Sequence, residues 1–127
     1  MYNAYMHMQK ILLVEDDQFM KSIYLKMLSS IYELDSADDG ETAYKKITKN
    51  SYDLILLDMF LPKLDGKLVF EKLEKNFPNQ YKKKIVFMTN DDSEQTVNYF
   101  NSSGIKYLIK STLNPEEFVN KIKTYLK

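Results

Sequence analysis

The stretch Leu54-Ile55-Leu56-Leu57-Asp58 decides how this chain folds: four apolar residues without alternation, ended by a carboxylate. A strand with one wet face alternates apolar and polar residues, whereas a strand covered on both faces does not. These residues are therefore expected at the centre of a parallel sheet. Three further runs share the pattern. Ile11-Leu12-Leu13-Val14 ends at Glu15-Asp16-Asp17, Ile85-Val86-Phe87-Met88 ends at Thr89, and Tyr107-Leu108-Ile109 ends at Lys110. Ligands of open parallel sheets bind outside the carboxyl ends of the strands. Carboxylates, a hydroxyl and an ammonium are thus expected to meet on one rim.

Helical patterns separate the runs. Met20, Ile23, Tyr24, Met27, Leu28 and Ile31 recur at helical spacing, with Asp16 or Asp17 placed to cap. Tyr32 to Ala37 is polar enough for an edge strand. A second helix follows Asp39-Gly40 with Ala43, Tyr44 and Ile47 inward, and a third follows Asp65-Gly66, carrying Leu68, Val69 and Leu73 to about Asn76. A fourth is expected from Ser93 to near Gly104. The last opens on Asn114, Pro115 and Glu117, the residues of a capping box, and buries Phe118, Val119, Ile122 and Leu126. Strands alternating with helices predict an α/β fold, a doubly wound parallel sheet built by right-handed crossovers.

Composition narrows the chemistry. A chain of 127 residues suits one domain. Charged residues are 28% and net charge is zero, so nothing draws the whole surface to nucleic acid or anionic membrane. The absence of cysteine removes disulfides, thiolate metal sites and a thiol nucleophile. No apolar run approaches the roughly 20 residues of a membrane span, and the first nine residues lack a signal-peptide layout, so the expected location is cytoplasmic. Residues 1–9 are expected to be an extension before a domain at 10–127. The single histidine, His7, lies in that extension and is given no chemical role. Lys82-Lys83-Lys84 is read as a solvated loop, since no aromatic platform accompanies it.

Glu15, Asp16 and Asp58 on neighbouring strands would repel one another unless a cation intervenes. Mg²⁺ takes about six oxygen ligands, usually from one or two carboxylates, waters and phosphates. Asp58 is then the expected nucleophile, since a carboxylate attacking phosphorus gives an aspartyl-phosphate. The reaction needs in-line positioning and partners that neutralise developing charge on the equatorial oxygens, roles open to the cation, Lys110 and Thr89.

ILLVEDD, LILLDMFLPKLDG, the strand-end Thr89 and YLIK, in this order, closely resemble the receiver domain of bacterial two-component response regulators over residues 10–126. The resemblance implies a five-stranded sheet in order 2-1-3-4-5 with five helices, flavodoxin-like, in a stand-alone, chemotaxis-regulator-like receiver. It implies phosphate transfer to Asp58 from a histidine kinase or histidine phosphotransfer protein. Glu15, Asp16 and Asp58 would hold Mg²⁺ (or Mn²⁺) with the backbone carbonyl of Phe60, and Thr89 and Lys110 would bind the phosphoryl group. Tyr107 matches an aromatic switch that turns inward as Thr89 moves. Helix 4, strand 5 and helix 5, including Tyr99, Lys106 and Tyr107, would form an output face for a downstream protein, in a monomer or weak dimer without direct nucleic-acid or membrane contact. Such a protein is no enzyme beyond its own phosphorylation and dephosphorylation.

Two departures from the family pattern bear on timing. Asn90 stands where a small residue is usual, and with Phe60 it is expected to shield the phosphoryl group and slow its hydrolysis. Ser111 stands where proline usually follows the lysine. A cis bond before a residue other than proline costs about 2.5–4 kcal/mol, so Lys110–Ser111 is expected to be trans. Two other functions compete: a phosphate-independent docking module of the same fold, and a small aspartyl-phosphate phosphohydrolase. The intact acids, Thr89 and Lys110 argue against the first. Phe60, where such hydrolases often carry a second aspartate, argues against the second.

Overall fold

The computed structural model describes residues 8–127, and the expected extension at 1–9, with His7, falls largely outside the described residues. Strands β1 (Lys10–Val14), β2 (Glu33–Ala37), β3 (Leu54–Asp58), β4 (Ile85–Thr89) and β5 (Lys106–Ile109) alternate with five helices. These are α1 (Gln18–Leu28), α2 (Gly40–Lys49), α3 (Gly66–Asn76), α4 (Glu94–Ser103) and α5 (Pro115–Tyr125). The strands are parallel, in order β2-β1-β3-β4-β5, and every residue of the central β3 is buried.

Side chains of successive strand residues point to opposite faces, and two cores result. Leu12, Val14, Ile55, Leu57 and Phe87 pack under α2, α3 and α4, whereas Ile11, Leu13, Leu56, Val86 and Met88 pack under α1 and α5. One expectation fails here. α1 stops at Leu28, so Ile31 falls in the following turn and is exposed. In α3 the inward face is Val69, Phe70 and Leu73, while Leu68 in the first turn faces solvent.

Each helix starts at a strand end. Asp17 accepts from the Phe19 and Met20 amides, Asp39 from Thr42, Asp65 from Leu68 and Ser93 from Thr96. Asn114 and Glu117 exchange the reciprocal bonds of a capping box. Two glycines hold the β3–α3 loop tightly. A Cβ on Gly66 would lie 2.1 Å from the Asp58 carbonyl oxygen, and one on Gly40 would lie 1.5 Å from that of Leu64.

The parallel order also sorts charge. Strand ends and opening helical turns share one end of the molecule, the rim; strand starts and closing helical turns share the other, the foot. The rim holds only Lys21, Lys63, Lys67 and Lys110 of the 18 basic residues. The foot holds only Glu33, Asp35, Asp53, Glu71 and Glu74 of the 18 acids. A chain of zero net charge thus carries an acidic rim and a basic foot.

On the β2 edge, Asp35 joins the sheet to α2. Its Oδ1 accepts from Lys46 Nζ at 2.8 Å and from the Ser36 amide at 2.8 Å, and its Oδ2 from the Tyr52 hydroxyl at 2.6 Å. Burial opposes ionisation, but the bonds from Lys46, Tyr52 and Ser36 together hold Asp35 below the usual carboxylate range. Its folded pKa is depressed, so its contribution is complete above the unfolded value near 3.9 and is lost as pH falls through the folded one. Asp35→Asn should cost about 1 kcal/mol at neutral pH, a value reduced by partial exposure. The difference in Tm from the parent should shrink on acidification from about pH 5 to about pH 2.5; a constant difference would exclude the ionised form as its cause.

Candidate functional site

Glu15 continues β1 by one residue, its amide bonded to the Ala37 carbonyl at 3.1 Å, and its side chain is only 1% exposed. Asp58 is the last residue of β3 and is 6% exposed. Between them sits the ammonium of Lys110, 2.6 Å from Glu15 Oε1 and 2.8 Å from Asp58 Oδ2. The second oxygens are also held: Glu15 Oε2 accepts from the Asp17 amide at 3.2 Å, and Asp58 Oδ1 from the Phe60 amide at 3.1 Å.

Lys110 reaches this position from a 3-10 turn, Lys110–Thr112, that directly follows β5. No cis peptide bond occurs among the described residues, so Lys110–Ser111 is trans, as expected. The loop without proline still turns the lysine inward.

Two buried carboxylates share one cation, and the ionisation of Glu15 and of Lys110 responds. Burial chiefly, with the charge of Asp58, pushes Glu15 above the usual carboxylate range, although Lys110 opposes it. Burial alone would lower Lys110; the hydrogen bonds and charges of Asp58 and Glu15 outweigh it and raise the lysine. Asp16 is exposed at the mouth of the site, and one oxygen each from Glu15, Asp16 and Asp58 lie within 4.8 Å of one another. Three carboxylates against one ammonium leave negative charge over. The donors are all hard oxygens, so the set fits a divalent cation such as Mg²⁺.

These groups line an open pocket of about 430 Å³ with Asp17, Met20, Tyr24, Asn90 and Ser111. The structure therefore brings together Glu15, Asp16, Asp58, Asn90 and Lys110 from the residues singled out in the sequence. Thr89 is buried at the end of β4, and its hydroxyl oxygen accepts from the Asp91 amide at 3.0 Å, which leaves its own hydrogen to donate elsewhere. The Phe60 ring is 59% exposed and stands outside the pocket lining. Tyr107 is half-buried on β5 and stacks on Phe100 of α4, centroids 4.7 Å apart.

Two residues escaped the sequence reading. Tyr24, read there as core, borders the pocket, and burial raises its phenol. Asp91 ties the loop after β4 to α4: its Oδ2 accepts from the Thr96 hydroxyl at 2.6 Å and its Oδ1 from the Ser93 amide at 2.9 Å. The run Asp91-Asp92-Ser93 was a usable signal, since Asp and Ser side chains before a helix bond to backbone two residues on.

A family model for the response regulator receiver domain matches residues 11–123. The chain belongs to this family. The receiver is 31% identical to the transcriptional regulatory protein SrrA of Staphylococcus aureus over 121 residues, which cover 93% of this chain and 48% of SrrA. It thus spans about half the length of the curated relatives it matches. Among solved structures it resembles chemotaxis protein CheY4 of Vibrio cholerae, with TM-score 0.80 and 26% identity over 94% of this chain and 99% of that one. The Francisella response regulator 1452 receiver domain has TM-score 0.78 and 26% identity over 93% and 96%. Receivers of this kind are signalling modules, generally not turnover enzymes. Among the described residues no helix is long and apolar enough to cross a membrane.

Removing one partner of a buried charge cluster costs about 3–5 kcal/mol, because the remaining charge is uncompensated. Lys110→Met should lose stability of that order in urea unfolding, and adding Glu15→Gln to it should restore a large part. A Lys110→Met variant as stable as the parent would mean that water, not the lysine, balances the two acids.

Proposed function

We propose that Asp58 accepts phosphate from a histidine kinase or histidine phosphotransfer protein and that the receiver signals through its protein-binding face. One observation carries the reading: the Asp58 carboxylate closes the central strand with Lys110 at 2.8 Å and Glu15 and Asp16 within a cation's span. In the transfer, an Asp58 oxygen forms a bond to phosphorus as the phosphorus–nitrogen bond of the donor imidazole breaks, and the imidazole leaves with the electron pair. Lys110 would shift its ammonium to an equatorial phosphoryl oxygen, and the Thr89 hydroxyl would donate to another. Glu15, Asp16, Asp58 and the Phe60 carbonyl would hold Mg²⁺, which supplies neutralisation of negative charge on the phosphoryl group.

The same reading gives the switch. Thr89 moving toward the phosphoryl group would draw Asp91 and Thr96 with it, and Tyr107 would turn inward against Phe100. The face of α4, β5 and α5, with Tyr99, Lys106 and Tyr107, would then present a changed surface to a downstream protein. This is a two-state equilibrium biased by one new charged ligand. Whether α4 and β5 respond as a unit is supported by their direct aromatic contact. The activities of longer relatives, such as transcriptional regulation by SrrA, would require chain beyond this domain or a partner.

Incubation with Mg²⁺ and acetyl phosphate or phosphoramidate should add a single phosphate by intact mass, absent in Asp58→Asn and without Mg²⁺. No adduct from any donor would favour a docking module, and sustained turnover of a phosphate ester would favour a hydrolase. Once the donor is removed, the adduct should decay slowly in the parent and faster in Asn90→Ala, and in Phe60→Ala if the ring swings over the phosphoryl group. Unchanged decay in both variants would sink the shielding role.

A further inference from the structure

Lys82-Lys83-Lys84 forms a 3-10 turn at the start of β4, at the end of the sheet opposite Asp58. Lys83 and Lys84 are exposed, and among the described residues none of the three is in an ion pair. Lys106, at the start of neighbouring β5, donates to the Lys83 carbonyl at 2.7 Å, and so adds its charge to the same edge. Beside the turn lies a polar cleft bordered by Lys49 and Lys84 whose lining contains no carboxylate.

Helix dipoles account for lysines in closing helical turns, where cations are favoured. They do not account for Lys82, Lys83, Lys84 and Lys106, which lie on a turn and a strand start. At the far end, the pocket around Glu15, Asp16, Asp17 and Asp58 is concave and open, with one ammonium among four carboxylates. The foot thus offers an exposed cluster of lysines outside any ion pair among the described residues, and the rim a pocket with anions in excess.

We propose that the basic foot of one copy docks on the acidic rim of the next, with the Lys82–Lys84 turn over the acid pocket, so that this chain associates head to tail with itself. A second copy is the occupant because both complementary surfaces are present on one molecule. The zero net charge also means that copies do not repel one another at long range. The contact uses two different patches, so it is heterologous and leaves a free rim and a free foot at the ends of any assembly. Docked lysines and a divalent cation compete for the same carboxylates, so cation binding disperses the assembly. The inference rests on charge complementarity and stands whether or not Asp58 accepts phosphate.

The test is sedimentation of the whole chain across salt, with amide chemical shifts followed on dilution. The Debye length shortens from about 20 Å near 0.02 M salt to about 6 Å near 0.3 M. The weight-average mass at high protein concentration should at least double at the low-salt end and return to that of a monomer at the high-salt end. Mg²⁺ added at constant ionic strength should lower it. Dilution should move amides at both Glu15–Asp17 and Lys82–Lys84. The triple variant Lys82→Gln, Lys83→Gln, Lys84→Gln should be monomeric at low salt, whereas Lys26→Gln, Lys121→Gln, Lys123→Gln, which removes the same charge from α1 and α5 and leaves the turn intact, should still associate. Circular dichroism and thermal melting of both variants establish that they fold. A monomer at every salt concentration overturns the proposal. So do equal behaviour of the two triple variants and concentration-dependent shifts confined to one end or to the α4–β5–α5 face.

Discussion

The structure turns on an ammonium held between two buried carboxylates. Glu15 and Asp58 end adjacent strands, and their mutual repulsion in a poorly solvated position would drive those ends apart. Lys110 arrives from β5, on the far side of β4, and its four-carbon stem carries the charge across to both acids. Three strand ends are therefore tied through one nitrogen. A buried cluster of this kind is a weak source of net stability, because desolvation offsets much of the attraction. Its consequence lies elsewhere. Two of the three carboxylates have their positions fixed in advance by strand geometry, and the remaining excess of negative charge is directed at the open pocket where Asp16 stands. Glu15 and Asp58 are thus held in advance where a cation would sit, and in the proposed function Lys110 would shift toward a new anion.

The charge layout of the whole molecule has the same origin as its topology. In a parallel sheet every crossover helix begins at the rim, where strand ends are, so every helix N-terminus needs acceptors there. Asp17, Asp39 and Asp65 supply them as caps, and Glu41, Glu94, Glu116 and Glu117 add negative charge in first turns. Lysines complement the closing turns at the foot. The acids of the candidate site extend an end that helix capping already makes negative. A neutral chain with its charge divided between two ends follows from the fold, and the lysines on turns and strand starts go beyond what the helices require.

What was legible in the sequence is local in origin. Apolar runs and their terminating polar residues located four of the five strands to within a residue or two, because a strand buried on both faces leaves no room for polar side chains; β2 was legible instead from its polar edge pattern. Asp39, Asp65, Ser93 and Asn114 marked helix starts because capping is a contact between near neighbours. The limits are equally physical. Ile31 and Leu68 fit a helical period but lie beyond the end of one helix and in the first turn of another, where periodicity cannot say which way the chain faces. Gly40 and Gly66 are required by carbonyl oxygens of Leu64 and Asp58, which approach only once the β3–α3 loop closes. The direction of Lys110 depends on a loop whose sequence departs from the family pattern. Its bond to Glu15 spans 95 residues, a separation that no local signal encodes.

The tie from Thr89 through Asp91 to Thr96 gives the proposed switch a physical route that the strand-end pattern did not contain. α4 is held at two places. At its start, Asp91 accepts from Thr96 and Ser93 while its amide donates to Thr89, so the helix is linked to the strand end by hydrogen bonds alone. Along its length, Tyr99 is held against α3, its ring 4.6 Å beneath Lys67 Nζ and its hydroxyl 3.4 Å from Glu71. Burial first, then the charge of Glu71, raises this phenol to about 12, so it remains a neutral donor at physiological pH. A displacement at Thr89 therefore acts on the first turn of α4 against a fixed point one to two turns further on. In the proposed switch, α4 would tilt about Tyr99 rather than translate. Phe100, next in sequence, carries the Tyr107 stack, so a tilt alters the surface on which that ring rests. In the proposed switch Tyr107 would then reorient as the helix moves, and stacking worth about 0.5–1.5 kcal/mol would bias one ring position over the other without locking either.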